Sequence, residues 1–447
     1  MDGSSRYALL AGLGLALIAL TGAGLWAQHA DAKIAFIVIA LVQGAAYLGA
    51  AWLSLRGVLP RGAFAIIVAA AAIMRLGVLA SPAYLSDDTN RYIWDGRVQG
   101  AGINPYRYLP VDDHLAQLRD DAVFPNINRN NYAPTIYPPV AQMIFFGVTR
   151  VSERVIVMRA AMLAFEIAGV LALLRLLALY GLPRERILLY LWHPLGLWEI
   201  AGSGHIDAAM VALVPLAFWA AARGRDAFAG AALAAAALVK FLPLALFPAL
   251  WRRGTWRMPA ALAATAIAAY APYIGAGARV LGFLPGYAGE EGLESGGGFY
   301  FWKLLTSGWQ WAARSPQLPA IGVYPYLIAA AAILGWCAWR ALMRSDDGIS
   351  AFRAGAVLMF AFLVLLSPHY PWYFLVAITF FCVVPYPPML YLTAASFLLY
   401  LPWGEGGAGR FAAESALYGP WAILALGLWW RQWRGTQTAT AERGTRP

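Results

Sequence analysis

Long apolar runs alternate along the chain with short polar segments that carry arginine. Stretches rich in Ala, Leu, Val, Ile and Phe cover residues 7–27, 33–55, 62–81, 154–180, 186–201, 206–223, 227–250, 258–275, 318–343, 350–367, 371–386, 388–403 and 414–433. About 20 such residues in a helix match the hydrocarbon core of a bilayer. Backbone in lipid must satisfy its own hydrogen bonds, so each run predicts a helix. One segment breaks the rhythm. Residues 82–153 carry eight acidic and six basic side chains. Within that segment 136–149 is apolar again, but it is short and contains Pro138-Pro139, which predicts a helix lying at the interface. The run 227–250 holds Lys240 and Pro243 between two arginine-bearing loops. That predicts a broken pair that enters and returns, an arrangement tolerated only where it lines a cavity.

Composition narrows the class. Of 447 residues, 61% are hydrophobic and 13% charged, with a mean hydropathy of +0.60. Soluble domains average about 45–50% apolar and about 25% charged. A soluble enzyme, a disordered chain and a collagen-like chain are excluded. The fold expected is an all-α polytopic membrane protein with about 11–14 transmembrane helices. The net charge of +10 does not signal nucleic acid, because the basic residues sit in short clusters between apolar runs and read as topology signals. Loops bearing Arg56/Arg61, Arg184/Arg186, Arg223/Arg225, Arg252/Arg253/Arg257, Arg340/Arg344 and Arg431/Arg434 are expected inside, which puts 82–153 outside and makes 434–447 a loose, polar cytoplasmic tail. Residues 7–27, after Arg6, could serve as a signal peptide, but they are long enough to span and a second span follows at once, so they read as the first transmembrane helix. Cys337 and Cys382 both lie in apolar runs, against disulfides or a cysteine metal site. The sequence has no P-loop, HExxH or G-x-S-x-G motif, and its five histidines form no metal cluster.

Polar residues then gather in five places. Ser86-Asp87-Asp88-Thr89-Asn90-Arg91-Tyr92-Ile93-Trp94-Asp95-Gly96 opens the outer loop. Adjacent carboxylates there can serve as a base or hold a cation; the plain alternative is a solvated helix cap. Residues 88, 91 and 95 share one helical face that needs a polar partner. Gly102-Ile103-Asn104-Pro105-Tyr106 ends that helix in a turn. Glu199, Gly202-Ser203-Gly204, His205 and Asp207 mark a break between two apolar runs. Ionisable groups there are functional candidates by default, unless they merely pair, Glu199 with His205 or His205 with Asp207. Lys240 is one of three lysines against thirty arginines and lies mid-run. Its buried ammonium needs an anion, either a lipid phosphate or a pairing with Glu166 or Glu199. Finally, Ser367-Pro368-His369-Tyr370-Pro371-Trp372-Tyr373 ends a span, with His369 a phosphate or hydroxyl partner among aromatics that suit an interface anyway.

Three motifs carry a resemblance. Asp88-x-x-Arg91-Tyr92-x-Trp94-Asp95-Gly96, then Gly102-x-Asn104-Pro105-Tyr106, then Thr135-Ile136-Tyr137-Pro138-Pro139 resemble bacterial polyprenyl-phosphate-mannose-dependent mannosyltransferases of the GT-C superfamily. They are more distantly similar to eukaryotic GPI-anchor mannosyltransferases. Pro194, Glu199, Gly204-His205-x-Asp207, Lys240 with Pro243, and His369 with Trp372-Tyr373 also fit, so the likeness spans residues 80–375. It implies a catalytic core over 62–375, an added N-terminal hairpin over 1–61 and C-terminal helices over 376–433. It further implies transfer of one sugar, mannose, from a polyprenyl-phosphate donor to a hydroxyl of a glycolipid, glycan or protein acceptor. The site would face outward from the plasma (inner) membrane, and displacement would invert the anomeric carbon. Asp88 would be the base, with Asp87 as helper or as the base itself. Lys240, His369 and Arg91 would bind the donor phosphate. Trp94, Asp95, Asn104, Tyr137, Glu199, His205 and Asp207 would bind sugar or acceptor. Two departures stand out: the acidic motif follows the third span, and its acids are adjacent. They leave open which Asp is the base and whether a divalent cation binds. The competing class is a transporter or flippase of a lipid-linked sugar, which shares broken helices and buried charge. A non-catalytic membrane scaffold is a third.

Overall fold

The computed structural model describes residues 3–312, 322–402 and 408–444. Among the described residues, the α-helices of seven or more residues are α1 (Gly3–His29), α2 (Lys33–Leu55), α3 (Ala63–Ala80), α4 (Asp88–Gly100), α5 (Pro139–Thr149), α6 (Val155–Leu179), α7 (Asp207–Ala222), α8 (Asp226–Ala237), α9 (Arg257–Tyr270), α10 (Leu284–Glu290), α11 (Tyr300–Ala312), α12 (Tyr324–Leu342), α13 (Gly348–Leu366), α14 (Pro387–Ala394) and α15 (Ala408–Gly444). No strand occurs among the described residues. Eight helical stretches among them are long and apolar enough to cross a membrane; the one through α9 continues as a 3-10 turn to Leu281. The protein is an all-α polytopic membrane protein.

The apolar pattern predicts more single helices than the structure contains. Runs 186–201 and 371–386 fold as chains of short turns, and residues 388–402 as the short helix α14 followed by a 3-10 turn. Arg184–Ile187 is a 3-10 turn, Leu188–Leu191 and Pro194–Gly196 are single α turns, and Leu197–Gly202 is a π turn. Pro194, Pro371 and Pro387 each remove a backbone donor, which limits a continuous helix at these points. The run 227–250 is broken as expected, with α8 ending at Ala237 and a 3-10 turn beginning at Leu242. Helix α15 continues to Gly444, where a loose polar tail is predicted from Trp433 on. The expected boundaries at 318 and 403 fall outside the described residues, as do 445–447.

Small residues set the closest helix contacts. A Cβ added at Gly230 of α8 would lie 2.2 Å from the Met258 carbonyl oxygen on α9. One at Gly169 of α6 would lie 2.6 Å from the Val211 oxygen on α7. Helix association in lipid relies on such close approach. Gly230→Ala is therefore expected to force α8 and α9 apart and cost about 1–3 kcal/mol. A lowered midpoint of thermal unfolding in detergent checks this, and an unchanged midpoint contradicts it.

Polar contacts tie the broken segment 184–202 to the N-terminal helices. The Trp192 indole donates to the Ile67 carbonyl at 2.9 Å, Tyr47 donates to the Leu189 carbonyl at 2.8 Å, and Trp198 donates to Gln43 at 2.7 Å. Arg75 on α3 forms a buried two-pronged pair with Glu166 on α6, at 2.8 and 2.7 Å. Over this bundle lies a layer made from 82–153. In it α4 and α5 pack through a Tyr92–Phe145 stack with centroids 4.4 Å apart. The first amides of α5, at Val140 and Ala141, both donate to the Leu238 carbonyl, at 3.0 and 3.2 Å. The outer layer thus sits on the broken end of α8, two residues before Lys240.

Candidate functional site

Where α8 breaks, residues from distant parts of the chain meet. Asp88 begins α4, and Asp87 immediately precedes it. Asn128, from the irregular stretch of the outer layer, donates to Asp88 at 2.7 Å and to Asp87 at 3.3 Å. Behind Asp88 lies His205, at the turn between the π turn and α7. Its Nδ1 is 3.5 Å from Asp88 and its Nε2 is 3.2 Å from Glu199. Tyr400 donates to the other Glu199 oxygen at 2.9 Å. Glu199 and His205 are fully buried. Burial disfavours a charged imidazole, but the nearby carboxylates, Glu199 first and then Asp88 and Asp207, outweigh it and hold the His205 pKa above its ordinary value. Trp372 stacks on His205 with centroids 4.5 Å apart, and Tyr370 stacks on Trp372 at the same distance.

Lys240 lies at the end of the α8 break. Its ammonium is 3.0 Å from Asp207 and 4.0 Å from the centre of the Tyr373 ring. This replaces the two internal pairings the sequence suggested for it: Glu166 is taken by Arg75, and Glu199 by His205 and Tyr400. Among the described residues, the second oxygen of buried Asp207 has no hydrogen-bond partner. Such an atom normally finds one in water or a ligand.

A cleft of about 570 Å³, within the range of about 300–1,000 Å³ usual for ligand sites, opens here; Glu199, His205 and Tyr400 do not border it. Asp87, Asp88, Tyr137, Asp207 and Lys240 line it, and Phe241, Leu242, Leu284, Phe362 and Leu366 give it an apolar side. A second cavity of about 880 Å³ lies between the end of α3 and the start of α6. The two share only Leu85, Ser86 and Asp87, so the extended segment before α4 is the wall between them.

The remaining candidates lie elsewhere. Arg91 pairs with Asp95 at 2.9 Å and donates to the Ala133 carbonyl, and Gln142 donates to Asp95 at 2.9 Å. The charged face of α4 thus finds its polar partner within the outer layer. Trp94 packs on Phe124 with centroids 5.6 Å apart, and Asn104 donates to the Tyr273 carbonyl at 3.0 Å. None of these four borders the cleft. His369 is buried with Nε2 2.8 Å from Glu291 and Nδ1 2.5 Å from Arg410. It belongs to a second charged cluster, in which Arg410 also pairs with Glu414 and Glu414 with Lys303.

Several lining residues had no sequence signal. Arg129 pairs with Glu290 at 2.8 Å, and Tyr132 donates to the same carboxylate. Tyr287 of α10 lies under the Arg129 guanidinium and hydrogen-bonds Tyr373. The one usable hint was Arg129 and Asn128 as polar residues between Asp88 and the Tyr137 motif. Among the described residues, no three His, Cys, Asp or Glu side chains are grouped to hold a metal ion.

Comparison with known families gives one match. Residues 4–252 fit the MptA_B family, described as "Alpha-(1->6)-mannopyranosyltransferase, N-terminal domain". No curated protein and no solved structure matches the chain. The matched span exceeds half the chain and holds Asp87, Asp88, Glu199, His205, Asp207 and Lys240. The chain belongs to this mannosyltransferase family and is a glycosyltransferase.

Proposed function

We propose that this family member takes mannose from a polyprenyl phosphate and transfers it, with inversion, to an acceptor hydroxyl at the outer face of the plasma membrane. One observation carries the donor assignment. A single cleft is lined by carboxylates (Asp87, Asp88), a cation (Lys240) and apolar side chains (Phe241, Leu242, Leu284, Phe362, Leu366). A sugar, a phosphate and an isoprenoid chain call for those three kinds of lining. Family membership favours an enzyme over the transporter reading.

The chemistry follows from the residues. The acceptor oxygen forms a bond to the anomeric carbon as the carbon–oxygen bond to phosphate breaks. The electron pair leaves on the phosphate oxygen, and the acceptor proton passes to a carboxylate. Asp88 is our base, because the Asn128 hydrogen bond at 2.7 Å fixes its orientation and a positioned base is what proton transfer requires. Lys240 faces the charge that develops on the departing phosphate, where a preplaced cation stabilises the transition state. The unpaired Asp207 oxygen accepts from a sugar hydroxyl. Tyr137 borders the sugar, and His205, backed by Glu199, lies behind Asp88 at 3.5 Å. Arg91 and His369 have their polar groups engaged elsewhere and are left out of the donor site, as are Trp94, Asp95 and Asn104 out of the sugar site.

Lys240→Ala tests this assignment. The donor kcat/KM is expected to fall roughly 10- to 100-fold, the value of one charge-assisted hydrogen bond, with Lys240→Arg recovering part of it. A change confined to the acceptor KM would remove Lys240 from the phosphate site.

A further inference from the structure

We propose that Arg129 is a second cation for the donor phosphate, and that Glu290 holds its place until the donor arrives. This rests on the donor reading above and adds a charge balance to it. The donor's phosphodiester carries one negative charge, and the polyprenyl phosphate that departs carries about two near neutral pH. Lys240 alone is poorly matched to that change, because Asp207 already pairs with it at 3.0 Å. Among the described residues, the cleft is lined by the carboxylates Asp87, Asp88 and Asp207, and its cations are Lys240 and Arg129. Without Arg129, the growing charge would face three carboxylates and one cation.

The geometry sets Arg129 beside Lys240. The Lys240 ammonium is 4.0 Å from the centre of the Tyr373 ring, and the Arg129 guanidinium is 5.7 Å from the centre of the Tyr287 ring. The hydroxyls of these two tyrosines are hydrogen-bonded to each other. Both cations thus rest on one tyrosine pair at the cleft. Glu290 engages the guanidinium through Nε, at 2.8 Å, and takes the Tyr132 hydroxyl on its other oxygen. The buried Arg75–Glu166 pair, by contrast, uses two nitrogens and both oxygens. The terminal nitrogens of Arg129 are thus left for a second anion, and a guanidinium fork fits phosphate oxygens. The side chains of Arg129 and Glu290 are 23% and 28% exposed, so a ligand can compete for the pair. The backbone of Arg129 is left-handed, with φ at +54°. Side chains other than glycine's rarely adopt this conformation, and where it persists it gathers at ligand sites. The kink sends adjacent side chains to two partners. Asn128 holds Asp88 at 2.7 Å, while Arg129 meets Glu290. One turn of the outer layer thus serves both the base and the phosphate.

The test uses the full-length protein, polyprenyl-phosphate mannose as donor, an alkyl mannoside as acceptor and polyprenyl phosphate as product inhibitor. Arg129→Ala is expected to lower donor kcat/KM roughly 10- to 100-fold. The inhibition constant of polyprenyl phosphate should rise at least as much, with the acceptor KM unchanged. Glu290→Gln removes the competing anion and keeps its shape, so donor KM and that inhibition constant are expected to fall. If the pair only anchored α10, cutting it from either side would do the same harm. Losses in both variants, or wild-type donor kinetics in a folded Arg129→Ala protein, would overturn the proposal. Should Arg129→Ala not fold, a raised donor KM in Glu290→Gln rejects it and a lowered one supports it. Wild type that transfers from no polyprenyl-phosphate sugar marks failure of the donor reading instead. Calorimetric binding of polyprenyl phosphate then decides. Weaker binding by Arg129→Ala supports the second cation, and equal binding, or none by wild type, rejects it.

Discussion

Asp88→Asn is expected to insert and fold as wild type yet lose roughly 10²–10⁴-fold in kcat, the usual contribution of a positioned base. The amide is isosteric but cannot take a proton near neutral pH. Its contact with Asn128 can survive by an amide flip, so the surrounding cleft is retained. The donor KM should change little, because the phosphate is held at Lys240. Asp87→Asn, by contrast, should lower kcat far less, since Asp87 is exposed and takes only the longer contact from Asn128, at 3.3 Å. Single-turnover rates with labelled donor separate the two, alongside an unfolding midpoint for each variant. Wild-type turnover in a folded Asp88→Asn protein would exclude Asp88 as the base. Loss of kcat in Asp87→Asn alone would move that role one residue earlier.

Glu166→Ala is expected to destabilise the protein by about 3–5 kcal/mol, the cost of stranding one partner of a buried ion pair. Arg75 donates through Nε and a terminal nitrogen to both Glu166 oxygens, and Tyr190 donates to Glu166 at 3.1 Å. Both charged side chains are almost fully buried. Without Glu166, the Arg75 guanidinium keeps a single close acceptor, the Leu191 carbonyl at 2.8 Å. The pair joins α3 to α6 just below the broken segment that carries Glu199, so activity should fall with stability. Replacing both residues by leucine should recover much of the loss, because no charge is then left unpaired. Equal unfolding midpoints for wild type and Glu166→Ala would show that the pair contributes nothing.

The long helices and the site's main acids were legible because each leaves a local mark. Apolar runs place α2, α3, α6 and α13 within a residue or two of their ends. Lys240 betrays itself as a cation inside an apolar run, and Asp88, His205 and Asp207 as ionisable groups at helix breaks. What stayed hidden depends on pairing across long separations. Nothing local says that Arg75 meets Glu166 or that Lys240 meets Asp207. Nor does anything place Arg129 and Tyr287, more than 150 residues apart, on one side of the cleft. The region of α10 and α11 was not read because it is short, glycine-rich and neither apolar enough to span nor dense in charge. Arg91, Trp94 and Asp95 shared a motif with Asp88, and Asn104 belonged to the next, but all four went into the outer layer's own packing, away from the cleft.

The central claim, a mannosyl donor on a polyprenyl phosphate, is tested most directly with purified wild type, radiolabelled polyprenyl-phosphate mannose and a panel of mannoside acceptors. Transfer to a mannoside that is lost in Asp88→Asn is the predicted result. Folded protein that leaves every polyprenyl-phosphate sugar untouched, with neither transfer nor hydrolysis, yet transfers mannose from a nucleotide sugar, would contradict it.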